Sequence, residues 1–103
     1  MFFHSTHIRP EEAKKLIDSG EAVLLDVRTR PEFQEAHIPG AKLLTLGDMP
    51  NNFSAIPDKA KTYIVYCHSG SRSMMAKRIM QKAGYTNVQD LGSIMSWPYG
   101  YAK

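Results

Sequence analysis

Two mainly apolar stretches, at 22–27 and 63–66, stand out along this chain. Because the first is apolar throughout until a carboxylate closes it, it predicts a strand buried on both faces, which is typical of a parallel sheet. Three further strand-type segments fall at 2–8, 41–46 and 88–91. The hydrophobic pattern therefore predicts five strands.

Segments with helical features lie between these strands. Pro10 lies in the first turn of a segment that ends at Gly20, and Thr29 and Glu32 have the spacing of a capping box. A further segment, 71–83, places its apolar residues on one helical face. Strands that alternate with helices predict an α/β fold with a five-stranded, mainly parallel sheet and helices on both faces.

Composition narrows the class of protein. With 103 residues and 43% apolar content, we expect a single domain over residues 1–103. The net charge of +3 favours anionic partners, but without a Lys/Arg run we expect no nucleic acid partner. The sequence contains no apolar stretch long enough to predict a membrane span. Residues 1–7 do not resemble a signal peptide. A single cysteine excludes an internal disulfide and suits a reducing compartment, so we expect a cytoplasmic protein.

The only cysteine, Cys67, directly follows the predicted strand at 63–66. Four small or polar residues come next, and a helical segment opens near Arg72. Backbone N–H groups and the positive end of the helix dipole would face the sulfur and favour the thiolate. A free cysteine is most often a buried structural residue, but such a residue belongs inside a strand rather than at its exit. We therefore predict that Cys67 is a nucleophile.

Polar side chains accompany Cys67 in the chain. Arg72 lies in the first helical turn, where a cation opposes the dipole, so its presence there favours an anionic ligand. His68 is adjacent to the nucleophile, but neighbours on a tight loop usually point apart, so we expect a loop residue rather than a base. Ser71 and Ser73 either cap the helix or donate hydrogen bonds to a ligand.

Asp26 ends a buried strand at the same predicted edge of the sheet as the cysteine. A buried carboxylate must be satisfied, so we expect Asp26 to accept loop N–H groups or to pair with Arg28, in a supporting role. Arg28 and Glu32 also have the spacing of an ion pair. Three other histidines lack ligand spacing with one another or with the cysteine, so we expect no metal site. They are His4, His7 and His37.

The loop at 67–73, with the sequence CHSGSRS, resembles the active-site loop of the rhodanese family. Other segments resemble the two signatures of that family, in the expected order. They lie at 25–28, 32–33 and 37–41 for the first signature and at 87–98 for the second. Two residues depart from the family pattern, since Ala36 and Ser93 stand where the family commonly has glycine.

The resemblance implies transfer of sulfane sulfur through a persulfide on Cys67. The donor would be a small anion such as thiosulfate, and the acceptor would be cyanide or a thiol, with a protein donor or acceptor also compatible. Loop N–H groups would cradle the anion, and Gly70 would supply a positive φ. The implied substrate-binding residues are Arg72, His68, Ser69, Gly70, Ser71 and Ser73. The resemblance requires neither a cofactor nor a metal.

Two other functions share parts of this pattern. A cysteine phosphatase or arsenate reductase shares the strand, cysteine loop and arginine helix, but it needs five residues between cysteine and arginine. Only four separate Cys67 from Arg72, so the loop is sized for sulfur rather than for phosphate. A non-enzymatic persulfide carrier or docking module would use the same residues, and the sequence leaves that alternative open.

Overall fold

The computed structural model of the protein describes residues 7–103. The strands are β1 (Ala22–Asp26), β2 (Lys42–Leu43), β3 (Thr62–Cys67) and β4 (Asn87–Ser93), and the helices are α1 (Pro10–Asp18), α2 (Arg30–Glu35) and α3 (Ser71–Lys82). Short 3₁₀ turns cover Leu46–Asp48, Phe53–Ala55 and Ile94–Ser96. The four strands pair in parallel in the order β2-β1-β3-β4. None of the helices within these residues is long and apolar enough to cross a bilayer.

The predicted α/β class with a parallel sheet is confirmed, but the described residues contain four strands rather than five. Most of the predicted strand at 2–8 lies outside the described residues, and His7 forms a single parallel bridge with Asp90 of β4. The predicted strand at 41–46 is regular over two residues. The segment still follows β1, because the Leu44 N–H donates to the Asp26 carbonyl at 2.8 Å.

Apolar residues cover both faces of the sheet, as the unbroken run at 22–27 predicts. On one face, Leu24 of β1 packs in a cluster with Ala13 of α1. On the other face, Leu25 packs in a cluster with Ala76 of α3, and Cys67 belongs to this second cluster. The helices therefore lie on both faces, and β1 and β3 end side by side at one edge of the sheet.

Local sequence features explain where two helices begin. Pro10 is the first residue of α1, and Glu11 and Glu12 in its first turn complement the helix dipole. Before α2, the Thr29 Oγ1 accepts a hydrogen bond from the Glu32 N–H at 3.4 Å, and the Glu32 Oε1 accepts one from the Thr29 N–H at 2.9 Å. The predicted capping box is thus present, and it orients the Glu32 carboxylate.

Candidate active site

Cys67 is the last residue of β3 and is fully buried. Its Sγ accepts a hydrogen bond from the backbone N–H of Gly70 at 3.0 Å. Gly70 is the N-cap of α3, a helix of 12 residues whose first N–H groups have no intrahelical acceptor. The positive end of this helix therefore lies beside the sulfur. Such a position stabilises negative charge on Sγ or on a second sulfur atom bonded to it.

Two hydroxyl groups hold the loop that follows Cys67. The Ser73 Oγ donates to the Gly70 carbonyl at 3.0 Å, and the Ser93 Oγ donates to the His68 carbonyl at 2.5 Å. Gly70 has a φ of +104°, a left-handed conformation that glycine adopts without strain. His68, Ser69 and Ser71 are exposed, whereas Ser73 is fully buried. The loop is therefore a fixed turn with an exposed outer side.

Arg72 and Glu32 form a bidentate ion pair across the site. The Arg72 Nη1 donates to Glu32 Oε1 at 2.7 Å, and the Nη2 donates to Oε2 at 2.9 Å. About one third of each side chain is exposed. The predicted pair of Arg28 with Glu32 is therefore wrong, because the capping box turns the Glu32 carboxylate towards α3 and Arg28 binds a different carboxylate.

The ion pair changes the titration of both partners. Hydrogen bonds from Arg72, with smaller contributions from Thr29, hold the pKa of Glu32 well below its usual range. The hydrogen bond to Glu32 raises the pKa of Arg72, and the charge of Cys67 acts in the same direction. The guanidinium charge therefore lies within electrostatic reach of the thiol, although its hydrogen-bonding fork is occupied by a carboxylate.

The lowered pKa of Glu32 makes part of the stability depend on pH. Such a carboxylate stabilises the fold above its unfolded pKa of about 4.3, and it loses this contribution as pH falls towards the lower folded value. We expect Glu32→Gln to be less stable than wild type at neutral pH, by about 1 kcal/mol or less because the pair is partly exposed. Urea unfolding should show this difference shrinking below about pH 4.

Glu35→Gln removes an exposed carboxylate from the same helix and serves as the matched control. A stability deficit of Glu32→Gln that stays constant down to about pH 2 would contradict the assignment, because in the wild type the unfolded chain takes up a proton at Glu32 below about pH 4 and the stabilisation declines.

Asp26 is buried at the end of β1 and is satisfied on both carboxylate oxygens. The Arg28 Nη2 donates to it at 2.7 Å, the Arg28 N–H donates at 2.9 Å, and the Tyr66 hydroxyl donates at 2.7 Å. The Tyr66 oxygen in turn accepts the Ile38 N–H at 3.0 Å, while the Arg28 Nη2 also donates to the Ala36 carbonyl at 2.7 Å. The predicted pairing of Asp26 with Arg28 is thus present, and it links β1 and β3 to the chain that follows α2.

Three features of this site are absent from the sequence interpretation. The pattern identifies Tyr66 as a strand residue, although its hydroxyl joins Asp26 to a backbone N–H. Burial raises the pKa of Tyr66, so the hydroxyl keeps its proton for this hydrogen bond. The sequence pattern identifies Glu32 as a helix cap and not as the partner of Arg72. It also does not show that Cys67 is buried.

Within residues 7–103, no group of His, Cys, Asp and Glu side chains is arranged to hold a metal ion.

Comparison with known proteins places the whole site in one family. The family model of the rhodanese-like domain matches residues 9–98, which include Asp26, the loop and α3. This chain belongs to the rhodanese-like domain family. The resemblance of the loop and of the two signatures is thereby confirmed at the level of the family.

Relatives of this rhodanese-like chain include sulfur-handling proteins. Thiosulfate sulfurtransferase PspE of Escherichia coli is 37% identical over 71 residues, which are 68% of each chain. YrkF of Bacillus subtilis, a candidate sulfur carrier protein, is 40% identical over 79 residues, which are 76% of this chain and 42% of YrkF. This chain therefore matches less than half the length of YrkF.

A solved structure shows the same fold. The rhodanese-like domain protein from Staphylococcus aureus superposes with a TM-score of 0.80 at 30% identity, covering 93% of this chain and 95% of that one.

The two departures from the rhodanese-like pattern cause no backbone strain. Ala36 has a φ of −169°, which is extended backbone that any residue adopts. Ser93 is also extended, with a φ of −91°, and its hydroxyl bonds the His68 carbonyl while accepting the Met95 N–H at 3.0 Å. The serine that replaces glycine therefore adds a contact to the loop.

Proposed function

We propose that this protein is a sulfurtransferase that carries sulfane sulfur as a persulfide on Cys67. The observation that carries the proposal is the Cys67 Sγ at the N-terminus of α3, with the Gly70 N–H donating to it at 3.0 Å. This geometry supports an anionic sulfur at that point. The similarity to the thiosulfate sulfurtransferase of E. coli supports thiosulfate as the donor.

The first half-reaction loads the cysteine. The Cys67 thiolate attacks the outer sulfur of thiosulfate and forms a new S–S bond. The bond between the two sulfur atoms of thiosulfate breaks, and sulfite leaves with its electron pair. The product is a persulfide anion, which the N–H groups of residues 68–73 and the dipole of α3 stabilise.

The second half-reaction removes the added sulfur from Cys67. The acceptor, cyanide or a thiolate, attacks the terminal sulfur of the persulfide, and the Cys67 thiolate leaves with the electron pair of the S–S bond. The products are thiocyanate or the persulfide of the acceptor. Both displacements balance in atoms and electrons.

Access to the sulfur runs through the loop, because Cys67 is fully buried at the end of its strand. His68, Ser69 and Ser71 form the exposed side of the turn and border the entrance. We infer that the donor approaches Cys67 from this exposed side, while the Ser73 and Ser93 hydroxyls hold the carbonyl groups of the loop in place. Asp26 and Arg28 support the adjacent strand end and do not react.

The proposal is tested by intact mass spectrometry after incubation with thiosulfate and desalting. We expect the protein to gain the mass of one sulfur atom and to lose it again when cyanide is added. A protein that gains no mass with thiosulfate, or that keeps the added mass in cyanide, would overturn the proposal.

Replacement of Arg72 tests whether its charge serves the donor. We expect Arg72→Ala to raise the KM for thiosulfate by roughly tenfold or more, because the guanidinium charge within electrostatic reach of the thiol is lost and Glu32 is left as an unpaired anion beside the site. Steady-state kinetics with cyanide as acceptor measure this effect.

The double variant Arg72→Ala with Glu32→Gln separates the two causes. It should recover part of the KM of Arg72→Ala, because the unpaired carboxylate is removed. Unchanged kinetics in Arg72→Ala would refute the role of the arginine in donor binding.

A role as a persulfide carrier is the second candidate, and the similarity to YrkF favours it. A carrier would accept one sulfur atom from another protein and deliver it, without repeated turnover on thiosulfate. Turnover of thiosulfate with cyanide distinguishes the two functions, because an enzyme forms many equivalents of thiocyanate, whereas a carrier that is loaded only by a protein donor forms none from thiosulfate.

A cysteine phosphatase is disfavoured by the residue that follows Arg72. Ser73 occupies the position at which such an enzyme requires its arginine. It is fully buried, and its hydroxyl bonds the Gly70 carbonyl. The site therefore has no cation at that point, and we expect no release of phosphate from a small aryl phosphate.

A further inference from the structure

One stretch of the chain contains basic residues but no acidic ones. No aspartate or glutamate lies between Asp58 and Asp90, and all the charged residues there are basic. They are Lys59, Lys61, Arg72, Lys77, Arg78 and Lys82. Four of them belong to α3, which carries no acidic and no aromatic residue, and of these four Arg72 is paired with Glu32. The outer surface of α3 is therefore basic from its second turn onward.

Methionines are exposed at the edge of the sheet where Cys67 lies. Met74 and Met75 lie in the first turns of α3 and are 45% and 52% exposed. Met95 is 72% exposed and lies two residues after Ser93, whose hydroxyl bonds the loop. Exposed methionine is an adaptable apolar contact that is used at binding surfaces.

A groove of about 180 Å³ lies along the same helix. Its lining combines Met74 with the basic residues Lys77 and Arg78, and Gln81 and Asp90 complete it. Asp90 is 2% exposed, and its carboxylate accepts the Gly92 N–H at 2.8 Å and faces His7 Nε2 at 3.7 Å. The solvent-facing charge of the groove is therefore positive.

We propose that the docking face formed on α3 by Met74, Met75, Lys77 and Arg78 binds an acidic protein whose cysteine takes the sulfur from Cys67. This inference rests on the proposed function and names its acceptor class. Positive charge complements carboxylates on the partner, and the methionines complement apolar residues around its thiol. A nucleic acid fits the face less well, because α3 offers no aromatic ring on which a base could stack.

The chemical step is the second half-reaction with a protein thiolate as the nucleophile. The partner's thiolate attacks the terminal sulfur, the partner gains a persulfide, and the Cys67 thiolate leaves. Docking raises the rate of this step by holding the partner's thiol beside the loop.

The test uses short synthetic peptides that contain one cysteine flanked by leucines and by glutamates, glutamines or lysines. The protein is loaded with thiosulfate, desalted and mixed with each peptide, and loss of the persulfide is followed by intact mass. At low ionic strength we expect the acidic peptide to react roughly tenfold faster than the neutral one, and the lysine peptide to react more slowly still. The advantage should fall as salt is added.

Charge reversal locates the effect. Lys77→Glu with Arg78→Glu should remove the preference for the acidic peptide. Lys15→Glu with Lys61→Glu gives the same net charge at exposed positions on α1 and before β3, and it should keep most of the preference. An equal loss in both double variants, or no preference in the wild type, would overturn the proposal.

A binding measurement separates this inference from the proposed function. A fluorescent acidic peptide with serine in place of cysteine should bind the unloaded protein, and the Lys77→Glu, Arg78→Glu variant should bind it more weakly. Binding without persulfide formation would overturn the sulfur transfer but not the docking of acidic chains. If an RNA oligonucleotide competes while the peptides show no discrimination, the face binds nucleic acid and the proposal fails.

Discussion

Replacing Cys67 by serine is expected to abolish sulfur transfer completely. The hydroxyl is a far weaker nucleophile than the thiolate, and no other cysteine exists in the chain to form a persulfide. The variant should therefore gain no sulfur from thiosulfate in intact mass spectrometry, and it should form no thiocyanate above the uncatalysed rate.

A second variant at Cys67 distinguishes loss of the nucleophile from loss of the folded structure. Cys67 packs in an apolar cluster, so a serine there buries a hydroxyl and is expected to lower stability by about 1–3 kcal/mol. Cys67→Ala keeps the site apolar and should be equally inactive. Thermal unfolding by circular dichroism verifies that both variants fold. Persulfide formation in either folded variant would disprove the role of the cysteine.

The features that could be predicted from the sequence are those set by neighbouring residues. The run at 22–27 indicates a strand buried on both faces because its residues pack on two clusters. Thr29 and Glu32 predict a helix start because both halves of a capping box lie within one turn. The position of Cys67 at the strand exit, before Gly70 and α3, follows from the same local order.

The contacts that could not be predicted join residues far apart in the chain. Arg72 meets Glu32 across 40 positions, and Tyr66 meets Asp26 across the same separation. Spacing within an element contains no information on such pairs. Because Arg28 is only four positions from Glu32 in the sequence, spacing alone favours Arg28 as its partner. The pairing of the parallel strands β1 and β3 brings Tyr66 to Asp26, because these two residues are register partners.

Burial of Cys67 also depends on the tertiary structure. The position of Cys67 at the strand exit does not indicate its exposure, and the residue is covered by its cluster, which includes Val65 and Ala76. Cys67 therefore combines the burial of a structural cysteine with a hydrogen bond from the Gly70 N–H to its sulfur. The proposed chemistry therefore depends on access through the loop, whose residues His68 and Ser69 are exposed.

The largest loss of stability is expected for Asp26→Asn. The substitution keeps the shape of the side chain but leaves the Arg28 guanidinium, which is 6% exposed, without its counter-charge. Removal of one partner from a buried ion pair typically costs about 3–5 kcal/mol, and this is the decrease expected in the free energy of unfolding. Urea unfolding at neutral pH measures this decrease.

Tyr66→Phe removes one hydrogen bond to the Asp26 carboxylate and leaves the Ile38 N–H without its acceptor. We expect its free energy of unfolding to fall by about 1–3 kcal/mol, measured by the same urea unfolding.

A second substitution shows whether the unpaired charge causes the loss in Asp26→Asn. Asp26→Asn with Arg28→Met removes the buried cation, so it should be more stable than Asp26→Asn alone, even though the contact with the Ala36 carbonyl is lost. Arg30→Met, at an exposed position two residues on, is the control and should stay within about 0.5 kcal/mol of wild type. If Asp26→Asn were as stable as this control, the hydrogen bonds of Asp26 with Arg28 and Tyr66 would not stabilise the strand end beside Cys67. The supporting role proposed for Asp26 would then be wrong.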